Sequence, residues 1–269
     1  MYIIKASGQR QKFRPEKIKG TLMRAGAPDE ISNEIVREVQ NKIRDGTTTK
    51  EILSFALKSL RKKRPEIASI YNLKNAIMQL GPTGFPFEKY LSKILIEHGY
   101  KVEVGKMIKG NLAVHEIDIS ASKEKKYMVE CKYHNDLGTY TGMKTALYVY
   151  ARFLDLKKIF DQPWLATNTK FSNQVIKYSE GVNMKLTGWG YPANENLQIL
   201  VESKKMYPIT ILNTLNKTFR GKLLKENFVT LKDLLDIPFK ELKNKTKIPE
   251  ETLKIVVEEA RKISEISLK

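Results

Sequence analysis

Apolar positions along the chain change their period twice. Between Tyr2 and Phe13 they alternate with polar ones about a Ser7-Gly8 turn, which predicts a hairpin with strands over 2–6 and 9–13. From Pro15 the spacing becomes helical. Pro15 suits a first-turn position, Ile18, Leu22 and Met23 share one face, and Gly26-Ala27-Pro28 stops the helix. Ile31, Ile35, Val36 and Val39 predict a second helix over about 29–43. Asp45-Gly46-Thr47-Thr48-Thr49 is a turn and cap, Ile52, Leu53, Ala56, Leu57 and Leu60 give a third helix, and a fourth covers about 65–80. Gly81-Pro82-Thr83-Gly84 marks a domain joint.

Beyond that joint the periods alternate. An amphipathic helix over 87–98 is followed by strands over 101–108, 114–120 and 127–133, the last two joined by a polar loop at 123–126. A long helix over about 141–159, a strand at 163–167, a helix at 171–179 and a strand at 185–190 complete an α/β layered pattern. The remainder is helical with short turns. Helices are predicted at 231–235, 239–242 and 250–263, and Pro208, Pro238 and Pro249 stand where helices begin. The expected organisation is three segments, 1–80, 85–200 and 201–269, in a multidomain α/β (α+β) chain.

No apolar run approaches the roughly 20 residues of a membrane-spanning helix. The opening MYIIKASGQRQKF lacks the apolar core of a secretion signal, so the expectation is a cytoplasmic protein without a membrane partner. A single cysteine, Cys131, excludes an internal disulfide, and no Cys/His cluster has zinc spacing. A catalytic metal would therefore rest on oxygen ligands. The net charge of +18 fits a polyanionic partner, or else a Lys-rich proteome. Its distribution separates the segments: +9 over 1–80, +4 over 81–200 and +5 over 201–269. The least basic stretch is the one that carries the most suggestive acids.

Those acids lie on consecutive strands. His115-Glu116-Ile117-Asp118-Ile119 puts Glu116 and Asp118 on one face, and Val129-Glu130-Cys131-Lys132-Tyr133 does the same for Glu130 and Lys132. Hairpin pairing brings the faces together as two carboxylates and an ammonium. Cleaving a phosphodiester needs a nucleophilic water, neutralisation of developing charge and support for the leaving oxygen; a hard cation on carboxylates supplies much of this. Asp118 and Glu130 would hold Mg2+ or Mn2+ with the Cys131 carbonyl as a third oxygen, and Lys132 would orient or deprotonate the water. The bland alternative is a surface Glu130–Lys132 pair worth little. Glu116 reads as a solvated strand residue, Cys131 as a small core residue, and His98, His115 and His134 as structural, with a phosphate contact open for His134.

Asp118, then Glu130-Cys131-Lys132 on the next strand, preceded by a helix carrying Glu88, resembles the PD-(D/E)xK nucleases, most closely the Mrr-like branch with its "EIDI…VECK" wording. Trp164 to Ser172 resembles the later strand and helix of that branch. Ile117 stands where some members have proline. The resemblance covers about residues 85–192 and implies a restriction endonuclease-like core, with Glu88 as an accessory acid beside catalytic Asp118, Glu130 and Lys132.

Ile3-Ile4-Lys5-Ala6-Ser7-Gly8, Phe13, Lys17-Ile18, Arg24-Ala25-Gly26 and the later Thr-Thr-Thr-Lys-Glu-Ile resemble the ATP-cone domain over roughly residues 1–80. That family binds ATP or dATP between a small sheet and a helical bundle, and Lys5 and Lys17 match its phosphate-contacting lysines; Ala6 and Ser7 replace its frequent Arg and Asp. The alternative is a helical module that no longer binds nucleotide. Arg61-Lys62-Lys63-Arg64 is a solvated helix end or a DNA-backbone contact. Residues from Thr230 to Ala260 resemble a helix-hairpin-helix module, with Lys247-Ile248-Pro249 in place of the usual glycines, or form a small packing domain.

Together these imply a metal-dependent DNA endonuclease regulated by ATP or dATP, a homodimer because cutting both strands needs two sites. The runner-up is a non-catalytic nucleotide-sensing DNA-binding protein on a nuclease fold. A transcriptional regulator is a third reading, since ATP-cones occur in a repressor family, but no zinc ribbon is present.

Overall fold

The computed structural model describes residues 1–266; the last three residues of the expected third segment lie outside it. Strands β1 (Tyr2–Ile4) and β2 (Arg10–Lys12) pair antiparallel, shorter than the alternation suggested. Gly8 closes their turn at φ 80°, a backbone that side-chain-bearing residues rarely adopt. Helices α1 (Pro15–Arg24), α2 (Asp29–Lys42) and α3 (Thr49–Lys63) follow and bury Leu22, Ile35, Val39, Ala56 and Leu60. Thr48 and Glu51 cap α3 reciprocally. The α2–α3 loop fastens the hairpin to the helices: Asp45 accepts from the Tyr2 N–H and pairs with Arg10, and the Ile4 N–H donates to the Thr47 carbonyl. The single helix expected over 65–80 is two, α4 (Pro65–Tyr71) and α5 (Leu73–Ile77), broken at Asn72.

The next stretch runs α6 (Phe85–Glu97), β3 (Lys101–Lys109), β4 (Val114–Ser122), β5 (Lys126–Lys132), β6 (Tyr140–Thr141), α7 (Met143–Leu156), β7 (Gln162–Thr167), β8 (Lys170–Phe171), α8 (Asn173–Gly181), β9 (Lys185–Thr187) and α9 (Leu197–Ser203). Five strands form one sheet in the order β3-β4-β5-β7-β9, antiparallel through β5 and parallel from β5 to β9. Helix α7 is the crossover between β5 and β7, as parallel neighbours require. Its Ala146, Val149 and Leu156 pack with Ile117, Met128 and Leu165 of the sheet. The two-residue strands β6 and β8 pair with each other, so Phe171 lies in a strand and α8 starts after it, capped by Ser172.

A 3-10 turn (Ile209–Ile211) then leads to α10 (Lys217–Lys225), α11 (Leu231–Leu235), α12 (Phe239–Thr246) and α13 (Glu250–Glu265). Three segments were expected; the fold makes two units, one of Met1–Ala76 with Ile209–Lys269 and one of Ile77–Pro208. The C-terminal helices return to the N-terminal ones because α13 packs on α4, and because specific bonds tie the two ends. Thr210 Oγ1 donates to the Ala76 carbonyl at 2.5 Å and Asn213 Nδ2 to Ser69 Oγ at 2.7 Å. Residues up to Pro208 stay with the sheet, where the Tyr90 hydroxyl donates to the Met206 carbonyl at 2.6 Å.

The expected joint at Gly81 is a seated segment. The Tyr133 hydroxyl, just past the end of β5, donates to the Met78 carbonyl at 2.7 Å and accepts from the Gly81 N–H at 3.0 Å. A Cβ on Gly81 would lie 2.4 Å from the Tyr133 ring, so only glycine fits here. Gly81→Ala is expected to displace that ring and cost about 1–3 kcal/mol, as overpacking generally does. Tyr133→Phe should cost a similar ~1–3 kcal/mol by leaving two backbone groups unpaired. Denaturant unfolding of both variants checks this.

Candidate functional site

Strands β4 and β5 pair from Ser122–Lys126 as far as Ile119–Val129. One step further along the same register, Asp118 stands opposite Glu130. The ladder ends there because Asp118 Oδ2 accepts the Cys131 N–H at 2.7 Å, taking the donor that strand pairing would use. On its other edge β5 continues alongside β7 to Lys132–Thr167. The strands therefore part where two carboxylates face each other, an arrangement that costs energy without a cation to offset it.

Helix α6 adds Glu88 in its first turn, beside Gly84, whose missing side chain leaves room for the Glu88 carboxylate. Burial pushes the Glu88 carboxyl up to about 7, and the charges of Asp118, Glu130 and Glu116 push it the same way. Burial and the Asp118 charge likewise raise Glu130 to about 7, against the pull of Arg152 and Lys132. Burial raises Asp118 too, opposed by the Cys131 N–H bond. The charge of Asp118 thus bears on both Glu88 and Glu130, and that of Glu130 on Glu88. Lys132 is exposed at the end of β5 and its charge reaches Glu130; burial, and then the Lys132 charge, holds His134 below its ordinary value. Cys131 is half-buried, and desolvation followed by the charges of the same acids holds its thiol far above its ordinary value.

Among the described residues no three His, Cys, Asp or Glu side chains are already gathered as metal ligands. The donor set expected from sequence, two carboxylates and the Cys131 carbonyl, is not of that kind. It is all hard oxygen and partly buried, which fits Mg2+ or Mn2+ and not a soft metal.

Sequence reasoning missed Arg152. It lies on α7, is 8% exposed, and donates from Nη1 to Glu130 Oε2 and from Nη2 to the Glu116 carbonyl. Its signal was present: positions 146, 149, 152 and 156 form the buried stripe of that helix, and a charge on such a stripe needs a partner inside. Asn168 was also missed. Its amide accepts the His134 N–H and donates to the His134 carbonyl, fixing the chain just after Lys132. The histidines sit in structural bonds: His98 to the Leu200 carbonyl, His134 to the Thr141 hydroxyl, and His115 to Asp155, which also accepts from the Leu112 and Ala113 N–H groups of the β3–β4 turn.

In the other unit Lys5 is half-buried in the β1–β2 turn and Lys17 is exposed in the first turn of α1. A cleft of 790 Å³ between the α3–α4 corner and α13 is lined by residues such as Arg61, Pro65, Asn213 and Lys254; neither lysine is among its lining residues. Within the Arg61-Lys62-Lys63-Arg64 run, Lys63 pairs with Glu34. At the expected helix-hairpin-helix turn, α13 opens on Glu250 and Glu251, and Lys243 and Lys254 draw the Glu250 carboxyl down to about 2. Carboxylates thus occupy the helix end where a phosphate would dock in a helix-hairpin-helix contact.

Three comparisons bear on these units. Residues 1–73 match the model of the ATP cone domain, and residues 207–264 match "AF1548-like, C-terminal". An "Uncharacterized protein" of Archaeoglobus fulgidus is 44% identical over 147 residues, covering 54% of this chain and 83% of its own length. A solved structure described as "Crystal Structure of Protein of Unknown Function AF1548" is 38% identical with TM-score 0.61, over 69% of this chain and 100% of the other. The N-terminal resemblance thus stands as an ATP cone, a nucleotide-binding regulatory domain. Among the described residues no helix is long and apolar enough to cross a membrane.

The raised acids set a pH dependence. Glu88 and Glu130 hold protons in the folded state up to about 7 but lose them near the ordinary 4.5 when unfolded. The folded state therefore binds more protons over that window, and the stability this contributes is complete below the unfolded value and lost as pH rises through the folded one. Metal-free protein should show a falling denaturation midpoint between pH ~5 and ~8, and Glu88→Gln with Glu130→Gln should flatten the fall.

Proposed function

The chain belongs to the AF1548-like family, and from that premise we propose that it is a metal-dependent DNA endonuclease whose phosphodiester hydrolysis is regulated by ATP or dATP on its N-terminal domain. The observation that carries the reading is the facing pair Asp118 and Glu130 where β4 and β5 part, with Glu88 beside them and Lys132 one turn of the pleat beyond. Asp118, Glu130 and the Cys131 carbonyl would hold Mg2+ or Mn2+, which when bound supplies Lewis-acid neutralisation of phosphate charge. Lys132 lies at the exposed mouth of the cluster, placed to orient the attacking water and stabilise charge on the phosphate. Glu88 completes the negative wall that draws in the cation. DNA as partner is supported by the +18 charge, and a homodimer by the need for two such sites in double-strand cleavage.

A second reading, a nucleotide-sensing DNA-binding protein without catalysis, is favoured by the Arg152–Glu130 ion pair, which already gives one acid a cation. Plasmid DNA with and without magnesium and ATP separates the two; absence of cutting under every condition would leave only the second. Under the first, Glu130→Ala or Lys132→Ala should lower magnesium-dependent cleavage by about 10²–10⁴-fold while DNA retention on a filter is unchanged. Cleavage surviving both changes removes the assigned site.

The lysines Lys5 and Lys17 are the proposed phosphate contacts for ATP or dATP. Lys5→Ala and Lys17→Ala should each weaken nucleotide binding about tenfold, near 1.4 kcal/mol. Titration calorimetry with both nucleotides measures this, and undiminished affinity in the double variant would move the nucleotide elsewhere.

A further inference from the structure

The cation inside the acid cluster belongs to the protein itself. Arg152 is almost fully buried on α7, and its one guanidinium reaches both strands at the place where they separate. Nη1 takes Glu130 Oε2 on β5, Nη2 takes the Glu116 carbonyl on β4, and the Tyr148 ring lies 5.2 Å from the guanidinium carbon. Lysine could not do this, since a single ammonium has no planar fork to span two acceptors in fixed directions. The bond to Glu130 uses one carboxylate oxygen and leaves Oε1 for another partner. The bond to Glu116 fixes the segment of β4 just before Asp118. One side chain thus sets the rotamer of one acid and the backbone carrying the other.

We infer that Arg152 is a positioning residue for divalent-cation binding, holding Glu130 by Oε2 so that Oε1 is left to serve the cation with Asp118. This rests on the metal site proposed above. Carboxylate ligands are commonly oriented by a second hydrogen bond of this kind, and losing that bond typically costs 10–100-fold in metal affinity. The rival geometry is a plug: if Arg152 merely fills the cation's place, removing it frees Glu130 and affinity rises. A purely structural role predicts unfolding with no dependence on Glu130.

The test uses the full chain stripped of metal, with Mn2+ as probe, read by electron paramagnetic resonance and by calorimetry. Arg152→Met should weaken Mn2+ binding about tenfold. In a Glu130→Gln background the same change should have no further effect, because the two act as one unit. Unchanged or tighter binding by Arg152→Met overturns the inference, as does a tenfold loss that persists in the Glu130→Gln background. Where Arg152→Met does not fold, Arg152→Lys carries the test: it keeps the charge without the fork, and an affinity about threefold or more below wild type is expected. Full affinity in that variant overturns the inference as well. A wild-type chain that takes up no Mn2+ refutes the metal site itself, an outcome distinct from wild-type binding that Arg152 does not influence.

Discussion

The sheet unit is organised around the cost of taking negative charge out of water. Isolated carboxylates in a protein interior either find a cation or hold on to a proton. Here Glu88, Asp118 and Glu130 come from three elements, α6, β4 and β5; burial drives each carboxyl upward, neighbouring acids add to it at Glu88 and Glu130, and the Cys131 N–H and Arg152 oppose it at Asp118. The surrounding bonds are arranged to bear that load. Asp118 is held by the Cys131 N–H, Glu130 by Arg152, and the chain after Lys132 by Asn168. A fold selected for stability alone would put apolar side chains at such positions, since well-packed hydrophobic replacements of buried ion pairs are often neutral or stabilising. The acids at the parting of the two strands therefore carry a cost that Arg152 and the Cys131 N–H only partly offset.

Much of this was legible because strands have a strict period of two. Alternation around Ile117 and Ile119 places Asp118 on the other face of its strand, and the short turn between Ser122 and Lys126 sets the register that brings it level with Glu130. Glu88 was legible only through family resemblance, because nothing in the helix pattern distinguishes it from an ordinary first-turn acid. Arg152 required tertiary knowledge: the stripe shows that it is buried, but not which strand it meets. Asn168 and Tyr133 lie in loops, where side chains bond to backbone groups of distant segments and local pattern carries no trace of them.

Domain organisation was the least legible feature. Helical periodicity in 201–269 announces an apolar face without saying which surface covers it. The answer lies in single contacts between sequence-distant groups, Thr210 with the Ala76 carbonyl and Asn213 with Ser69. They make the C-terminal helices a brace for the nucleotide-binding module. The acidic start of α13 agrees with that role, since its Glu250 is spent on Lys243 and Lys254 within the same helical layer.

The covalent path between the two units adds a mechanical constraint. Residues 77–84 leave the ATP-cone unit and run directly to α6, and the Tyr133 hydroxyl grips them at Met78 and Gly81. Tyr133 follows Lys132, and Glu88 follows this segment by one helical turn. The connector therefore cannot shift at residues 78–81 without moving the ring beside the exposed lysine or breaking two buried-side hydrogen bonds, each worth about 0.5–1.5 kcal/mol net. The Tyr133 hydroxyl thus ties residues 78–81 to the strand end that carries Lys132, within the sheet unit itself.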